Sequence, residues 1–188
     1  IGLLKNESFD IGFNPWSNGF DSCYFISFCK KFLFYKDFDK PSNINHYQVV
    51  RRYLNLPEKK WKINELSLQE SYTKILICPH STDPNRNLPI EKMNQIIFEL
   101  QNTYNQPEII IASMDKSYFR DDCQKFLFEK SDYSSKQFLK LMRESSLVVC
   151  ADSGPLHIAL ALKKDLLAFL ISTDPKIVIN TGSYLIIK

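Results

Sequence analysis

From Tyr72 onward, short apolar runs alternate with longer segments whose apolar positions recur every three or four residues. The runs Lys74–Cys78 (KILIC), Glu108–Ala112 (EIIIA), Leu147–Cys150 (LVVC) and Leu166–Ile171 (LLAFLI) have the length and composition of buried strands. Between them, Pro89 opens a predicted helix with Ile90, Met93, Ile97, Leu100 and Tyr104 on one side. Lys116–Glu129 is a third amphipathic element, keeping Phe119, Cys123, Phe126 and Leu127 on one face. Ser134 or Ser135 caps a helix ending near Arg143, with Phe138, Leu139 and Met142 inward. Tyr184–Ile187 reads as a last strand after the turn Thr181-Gly182-Ser183. Strand alternating with helix predicts an α/β domain: a Rossmann-like, doubly wound parallel sheet.

The first third of the chain is less regular. Phe9–Phe13 reads as a strand, followed by a turn-rich stretch from Asn14 to Gly19. Ser22–Phe34 is apolar and aromatic, with Tyr24, Phe25, Phe28, Phe32 and Leu33 near helical spacing; its length favours a buried helix. A second helix is predicted from Asn45 to Asn55, with Tyr47, Val50 and Leu54 inward and Arg51 and Arg52 on the surface. Residues 57–73 turn polar and charged, which marks a linker, although Trp61, Ile63, Leu66 and Leu68 could form a short edge strand along it. The expected organisation is a partial N-terminal α/β portion (1–56), a linker (57–73) and a Rossmann-like domain (74–188).

The densest chemistry lies in Leu147–Lys164, LVVCADSGPLHIALALKK. A strand turns at Asp152-Ser153-Gly154-Pro155 and enters a short helix with no polar face, closed by Lys163 and Lys164. Asp152 or Ser153 is placed to cap that helix, which is the plain structural role for either. The same turn is where a parallel sheet presents free amides and partial positive charge to an anion. Three loops should meet at this edge: His80–Asn87, Ser113–Lys116 and Ala151–His157. Ser81, Thr82 and Arg86 in the first, with Ser153 and His157 in the third, form a set suited to a diphosphate, with leaving-group charge stabilised without a metal. Asp115 stands where an acidic residue often holds a ribose hydroxyl, though it serves equally as a helix cap. His157 is as readily a structural histidine as a ligand, while His80 and His46 read as loop and surface residues. The glycine fingerprint of ordinary dinucleotide-binding domains is absent.

Bulk properties narrow the classes. A net charge of +3 with scattered Lys and Arg argues against a nucleic-acid partner. No apolar run reaches the roughly 18–20 residues needed to cross a bilayer. The five cysteines are odd in number and contain no C-x-x-C pair, so a reducing compartment with neither disulfide framework nor zinc site is expected. The chain starts at Ile1 with no basic region ahead of an apolar one, so no signal peptide is read.

The run Asp152-Ser153-Gly154-Pro155-Leu156-His157-Ile158-Ala159, with Ala161 beyond it, resembles the D-[ST]-G-x-x-H-[LIV]-A-x-A signature of the lipopolysaccharide heptosyltransferases, glycosyltransferase family nine. Pro79-His80-Ser81 through Arg86-Asn87-Leu88-Pro89 is similar to that family's P-G-[AT]-[ST]…[KR]-x-W-P loop, with His80 in place of a small residue and Leu88 in place of tryptophan. Thr173-Asp174-Pro175 resembles its T-x-P turn.

The resemblance implies the nucleotide-binding half of a GT-B glycosyltransferase. It further implies inverting transfer of heptose or a related sugar from an ADP-sugar to a lipid A-core acceptor, in the cytoplasm or on the inner face of the inner membrane. Ser81, Arg86, Asp115, Asp152, Ser153, Gly154, Pro155 and His157 then bind the nucleotide-sugar, and no metal or other cofactor is expected. Family members begin with a strand and glycine-rich loop near which an aspartate serves as general base. Nothing before Phe9 supplies one, and Asp10 lies inside a predicted strand, so the catalytic residue is left unassigned and the chain reads as truncated. Two other readings stand beside transfer: a nucleotide-sugar-binding module that transfers nothing, and a generic α/β nucleotide-binding or hydrolase domain with Ser153 or Asp152 as nucleophile. No G-x-S-x-G elbow supports the last.

Overall fold

A computed structural model describes residues 8–14, 26, 28–34, 48, 51–52, 54–57, 63–65, 69–129, 131–171, 173–179 and 182–187. The chain divides into two compact units, Ile1–Lys59 and Lys60–Lys188.

In the first unit, β1 (Phe9–Asn14) pairs in parallel with β2 (Cys29–Phe34). The helix expected over Ser22–Phe34 is therefore corrected. Helical backbone at Ile26 and a turn at Phe28 give way to a strand. One long apolar run serves two elements, and length alone was a poor arbiter because pairing with β1 satisfies the backbone of Cys29–Phe34. Close packing is visible at Gly12, where an added Cβ would come within 2.5 Å of the Cys29 sulfur and 2.6 Å of the Phe32 ring. Gln48, Arg51 and Arg52 are helical, and the chain leaves that helix at Asn55 with φ 53°, a left-handed turn that asparagine tolerates. Arg51 donates from Nε and Nη2 to the Pro57 carbonyl at 2.9 and 2.6 Å, so it fastens the exit of its own helix. The expected turn over 15–19, together with Tyr24, Phe25, His46, Tyr47, Val50, Trp61, Leu66 and Leu68, lies outside the described residues.

The second unit is built on a seven-stranded sheet in which every recorded pairing is parallel. Its strands are β3 (Ile63–Glu65), β4 (Lys74–Cys78), β5 (Glu108–Ser113), β6 (Gln124–Leu127), β7 (Leu147–Ala151), β8 (Asp165–Phe169) and β9 (Gly182–Ile187), in the order β3-β9-β8-β7-β4-β5-β6. Helices α1 (Ile90–Thr103), α2 (Asp132–Glu144), α3 (Gly154–Ala161) and α4 (Pro175–Val178) join them. Alternate residues of each central strand feed two cores. Ile75, Ile77, Ile109, Ile111, Leu147 and Val149 pack with Met93, Ile97 and Leu100 of α1. Leu76, Cys78, Ile110, Val148 and Cys150 pack on the other face with Phe138 and Met142 of α2 and Leu156, Ala159 and Leu160 of α3. Helices on both faces explain why the central strands read as continuous apolar runs.

The short edge strand read within 57–73 is present as Ile63–Glu65, which pairs with β9 at the sheet edge, and Tyr72 is buried. Three local expectations change. Lys116–Glu129 is no helix but a 3-10 turn at Lys116–Tyr118 followed by β6, which pairs with β5. The cap of α2 is Ser131, whose side chain accepts from the Ser134 amide, rather than Ser134 or Ser135. Helix α3 is buried through Leu156, Ala159 and Leu160, whereas Gly154 and Ala161 are exposed.

The lysines after α3 also act differently from their expected part as dipole partners of that helix. Lys163 adopts φ 55°, and the Lys164 amide donates to the Ala159 carbonyl at 3.0 Å, an αL helix ending that normally takes glycine. The Lys164 ammonium donates to the carbonyls of Arg143 and Ser145 and so closes α2. Lys163→Gly is expected to stabilise the unit by up to about 1 kcal/mol, because only the left-handed strain is removed. Urea unfolding of the two proteins checks this.

Tyr72 gives a pH signature. Its buried hydroxyl donates to Asp165 Oδ2 at 2.9 Å, and burial, reinforced by that carboxylate, pushes its pKa up to about 12. An unfolded tyrosine releases its proton near pH 10, so between about 10 and 12 the folded state binds the extra proton. Stability is expected to fall as pH rises through that window. Phenolate absorbance that differs between the parent and Tyr72→Phe should emerge near the upper limit.

Candidate nucleotide site at the sheet edge

The strand order reverses between β4 and β7: β5 and β6 follow on one side of this pair, β8 and β9 on the other. Loops leaving adjacent strands at such a point diverge to opposite faces and open a crevice at the carboxyl edge. Cys78 and Cys150 are register partners at the ends of β4 and β7, so the Pro79–Pro89 loop and the Asp152–Pro155 turn start side by side. Both thiols are buried, and burial pushes their pKa values well above the ordinary range.

The first loop is internally braced. The Leu88 amide donates to the Pro79 carbonyl at 2.9 Å, and Leu88, standing where the resembled loop carries tryptophan, is fully buried. Asn87 Oδ1 accepts from the Ser81 amide at 2.7 Å, and Asp83 caps the 3-10 turn Pro84–Arg86 through the Asn85 amide at 3.1 Å. Ser81 is buried; its hydroxyl donates to the Asp152 carbonyl at 3.2 Å and accepts from the Asp83 amide at 3.4 Å. In this arrangement it is a strut between two loops. Arg86 is half exposed, with Nη1 3.5 Å from the buried Asp152 carboxylate and Nε 3.4 Å from Asp83. The Asp152 carboxylate also accepts from the Thr173 hydroxyl, on the loop after β8.

The expected capping of α3 by Asp152 or Ser153 is therefore corrected. Ser153 occupies the N-cap position without a side-chain bond to the helix, its hydroxyl donating to the Ala151 carbonyl at 3.3 Å, and Asp152 is committed to Thr173 and Arg86. Pro155 has no amide to satisfy, and the Leu156 amide donates to the Ser153 carbonyl at 3.0 Å. The helix thus starts without a side-chain cap beside a guanidinium. A Cβ added to Gly154 would meet nothing within 4 Å, so space lies open over this first turn. His157 is partly buried within α3.

The third loop borders the same edge. Ser113 is buried and accepts the Asp115 amide at 3.0 Å; Asp115 in turn caps Lys116–Tyr118 through the Ser117 amide at 2.9 Å. The Ser117 amide and hydroxyl hold the exposed Asp115 carboxyl below its usual range, with His80 adding a smaller pull in the same direction. The Tyr118 hydroxyl bonds to Asn87, which ties this loop to the first; burial still pushes its pKa up.

Sequence reasoning missed an adjoining cavity of about 340 Å³, lined by Cys78, His80, Met114, Phe128, Phe138 and Leu139 together with Gly154, Pro155 and Ile158. Phe138 and Leu139 were expected to face the core, and Phe138 does, but the neighbouring surface of α2 also forms a wall. Periodicity identifies an inward helix face; it carries no signal for a gap between that face and a loop. Among the described residues no group of three or more His, Cys, Asp or Glu side chains is placed to hold a metal ion. No described helix is long and apolar enough to cross a membrane.

Comparison with known proteins points one way. The profile of Glycosyltransferase family 9 (heptosyltransferase) matches residues 32–183. The glycosyl transferase family 9 protein from Veillonella parvula DSM 2008 has the same fold: TM-score 0.58 and 13% identity, covering 87% of this chain and 53% of that one. The E. coli ADP-heptose lps heptosyltransferase II matches at TM-score 0.47 and 21% identity, over 64% of this chain and 40% of that one. This chain therefore spans about half the length of the proteins it resembles or less. No curated protein matches it. With a parallel sheet wound on both faces in the manner of GT-B enzymes, and a family match that runs through most of its length, the chain belongs to glycosyltransferase family 9.

Proposed function

We propose that this protein binds an ADP-sugar at the carboxyl edge of its sheet and contributes the donor side of heptosyl transfer, or transfer of a related sugar, to a lipopolysaccharide core. The observation that carries the reading is the meeting of the half-exposed Arg86 guanidinium with the uncapped, open start of α3, beside an apolar cavity. A diphosphate fits the corner, with Ser153, Gly154 and Pro155 under it and Arg86 at its side. In this reading the cavity takes the base, Asp115 the ribose, and His157, one helical turn beyond Ser153, the sugar. Asp152 and Ser81 hold the loops that frame this corner.

In the transfer itself an acceptor hydroxyl oxygen bonds to the anomeric carbon as that carbon's bond to the phosphate oxygen breaks, which inverts the centre. The electron pair leaves with ADP, and Arg86 and the α3 dipole stabilise the charge gathering there. The proton passes to a general base on the acceptor side of the anomeric carbon. Such chemistry calls for no metal, and an acceptor of this type would place the protein in the cytoplasm, against the inner face of the inner membrane. Binding without transfer is the second reading.

Calorimetric titration with ADP, followed by assay of ADP release from ADP-heptose with and without acceptor, separates the two. Binding with acceptor-dependent release supports transfer, binding without release supports the module, and no binding defeats both. Arg86→Ala is expected to weaken ADP binding by roughly 10- to 100-fold, the ~1.5–3 kcal/mol of a hydrogen bond to a charged group. Gly154→Ala should melt no lower than the parent, since the position is an exposed helix start with room for a methyl. It should nevertheless lose about tenfold in ADP affinity, because the methyl occupies the space through which the diphosphate approaches the backbone.

A further inference from the structure

The ion pair between Arg86 and Asp152 joins unlike partners. The Asp152 side chain is 7% exposed and that of Arg86 is 45% exposed. The carboxylate is pinned from elsewhere: Thr173 donates to Oδ2, and the Asp152 carbonyl takes the Ser81 hydroxyl at 3.2 Å. It cannot swing to follow a moving guanidinium, so the guanidinium comes to it. The other acidic neighbour of Arg86, Asp83, lies three residues earlier on the same loop and is 44% exposed. Solvent screens that contact, and it travels with the loop, so it fixes nothing relative to α3.

Simple electrostatics argues against a carboxylate here. A negative charge beside an anion site repels the anion, and a buried one costs free energy to desolvate. We infer that Asp152 is a positioning residue: its buried carboxylate holds Arg86 against the turn that opens α3, leaving the other guanidinium N–H groups preorganised for a bound diphosphate. This rests on the nucleotide-sugar reading for the identity of the anion, whereas the hold on Arg86 exists in the free protein. It accounts for a charge of the wrong sign next to the site, since an arginine on an exposed loop loses much rotamer freedom when it binds alone.

Positioning and plain repulsion predict opposite signs for one substitution. Asp152→Asn keeps the shape and an oxygen for Thr173 and removes the charge. Under repulsion alone it tightens inorganic pyrophosphate binding; under positioning it weakens it by about tenfold, the scale of a lost charge-assisted contact. Calorimetry should then find the Arg86→Ala/Asp152→Asn double variant no weaker than Arg86→Ala alone, with Asp83→Asn much closer to the parent. A second readout needs no ligand: modification of Arg86 by phenylglyoxal, followed by peptide mass spectrometry, should accelerate severalfold in Asp152→Asn. Thr173→Val, which unpins the carboxylate without touching either charge, should accelerate it too and keeps the test open if Asp152→Asn folds poorly. Unchanged or tighter pyrophosphate binding by Asp152→Asn, or unchanged modification rates, overturns the inference. If the parent binds no pyrophosphate, the nucleotide-sugar reading falls by itself, and the modification rates alone decide whether Asp152 holds Arg86.

Discussion

The pairing of β4 with β7 is the constraint on which the rest of this structure depends. The two strands lie side by side although a helix, two strands and another helix separate them in the chain. Their register puts Ile75, Ile77, Leu147 and Val149 on one face and Leu76, Cys78, Val148 and Cys150 on the other. A slip by one residue would send each set into the wrong core, so burial on both faces enforces the alignment. The same alignment brings Cys78 and Cys150 to the sheet edge together and lets Ser81 reach the Asp152 carbonyl. Site geometry is in this sense a by-product of core packing.

Around the crevice, labour is divided between atoms that hold and atoms that face outward. The Ser81 hydroxyl and the Asp152 carboxylate are engaged with neighbouring loops, the Ser113 and Asn87 side chains brace their own, and Ser81, Ser113 and Asp152 are buried. Buried polar groups need such partners to offset lost hydration. The half-exposed Arg86, the exposed Asp115 and the first turn of α3 are left at the surface, with the apolar cavity alongside. Ser81 and Asp152 thus brace the loops on which the motif's other residues stand.

The chain pattern made the central strands legible because their residues are buried on both faces and leave unbroken apolar runs. Helix α1 was legible because Met93, Ile97, Leu100 and Tyr104 sit on one buried stripe. The failures share a cause. Cys29–Phe34 and Gln124–Leu127 are strands that exist because a neighbour offers hydrogen bonds, and a partner outside the run leaves little local trace. The misjudged caps are similar: Ser131 outcompetes Ser134 for the start of α2, and Thr173 and Arg86 draw Asp152 away from α3.

What the amino-acid order determined by itself was a set of local alternations and one strand-turn-helix motif, enough to name a doubly wound parallel fold and a family resemblance. These are short-range matters of period, turn chemistry and helix polarity. Tertiary structure decided which hydroxyls are spent on bracing, where the apolar cavity opens beside α2 and which carboxylate meets Arg86. Each of those depends on residues from different loops coming within a few ångströms, and that proximity follows from strand order and register.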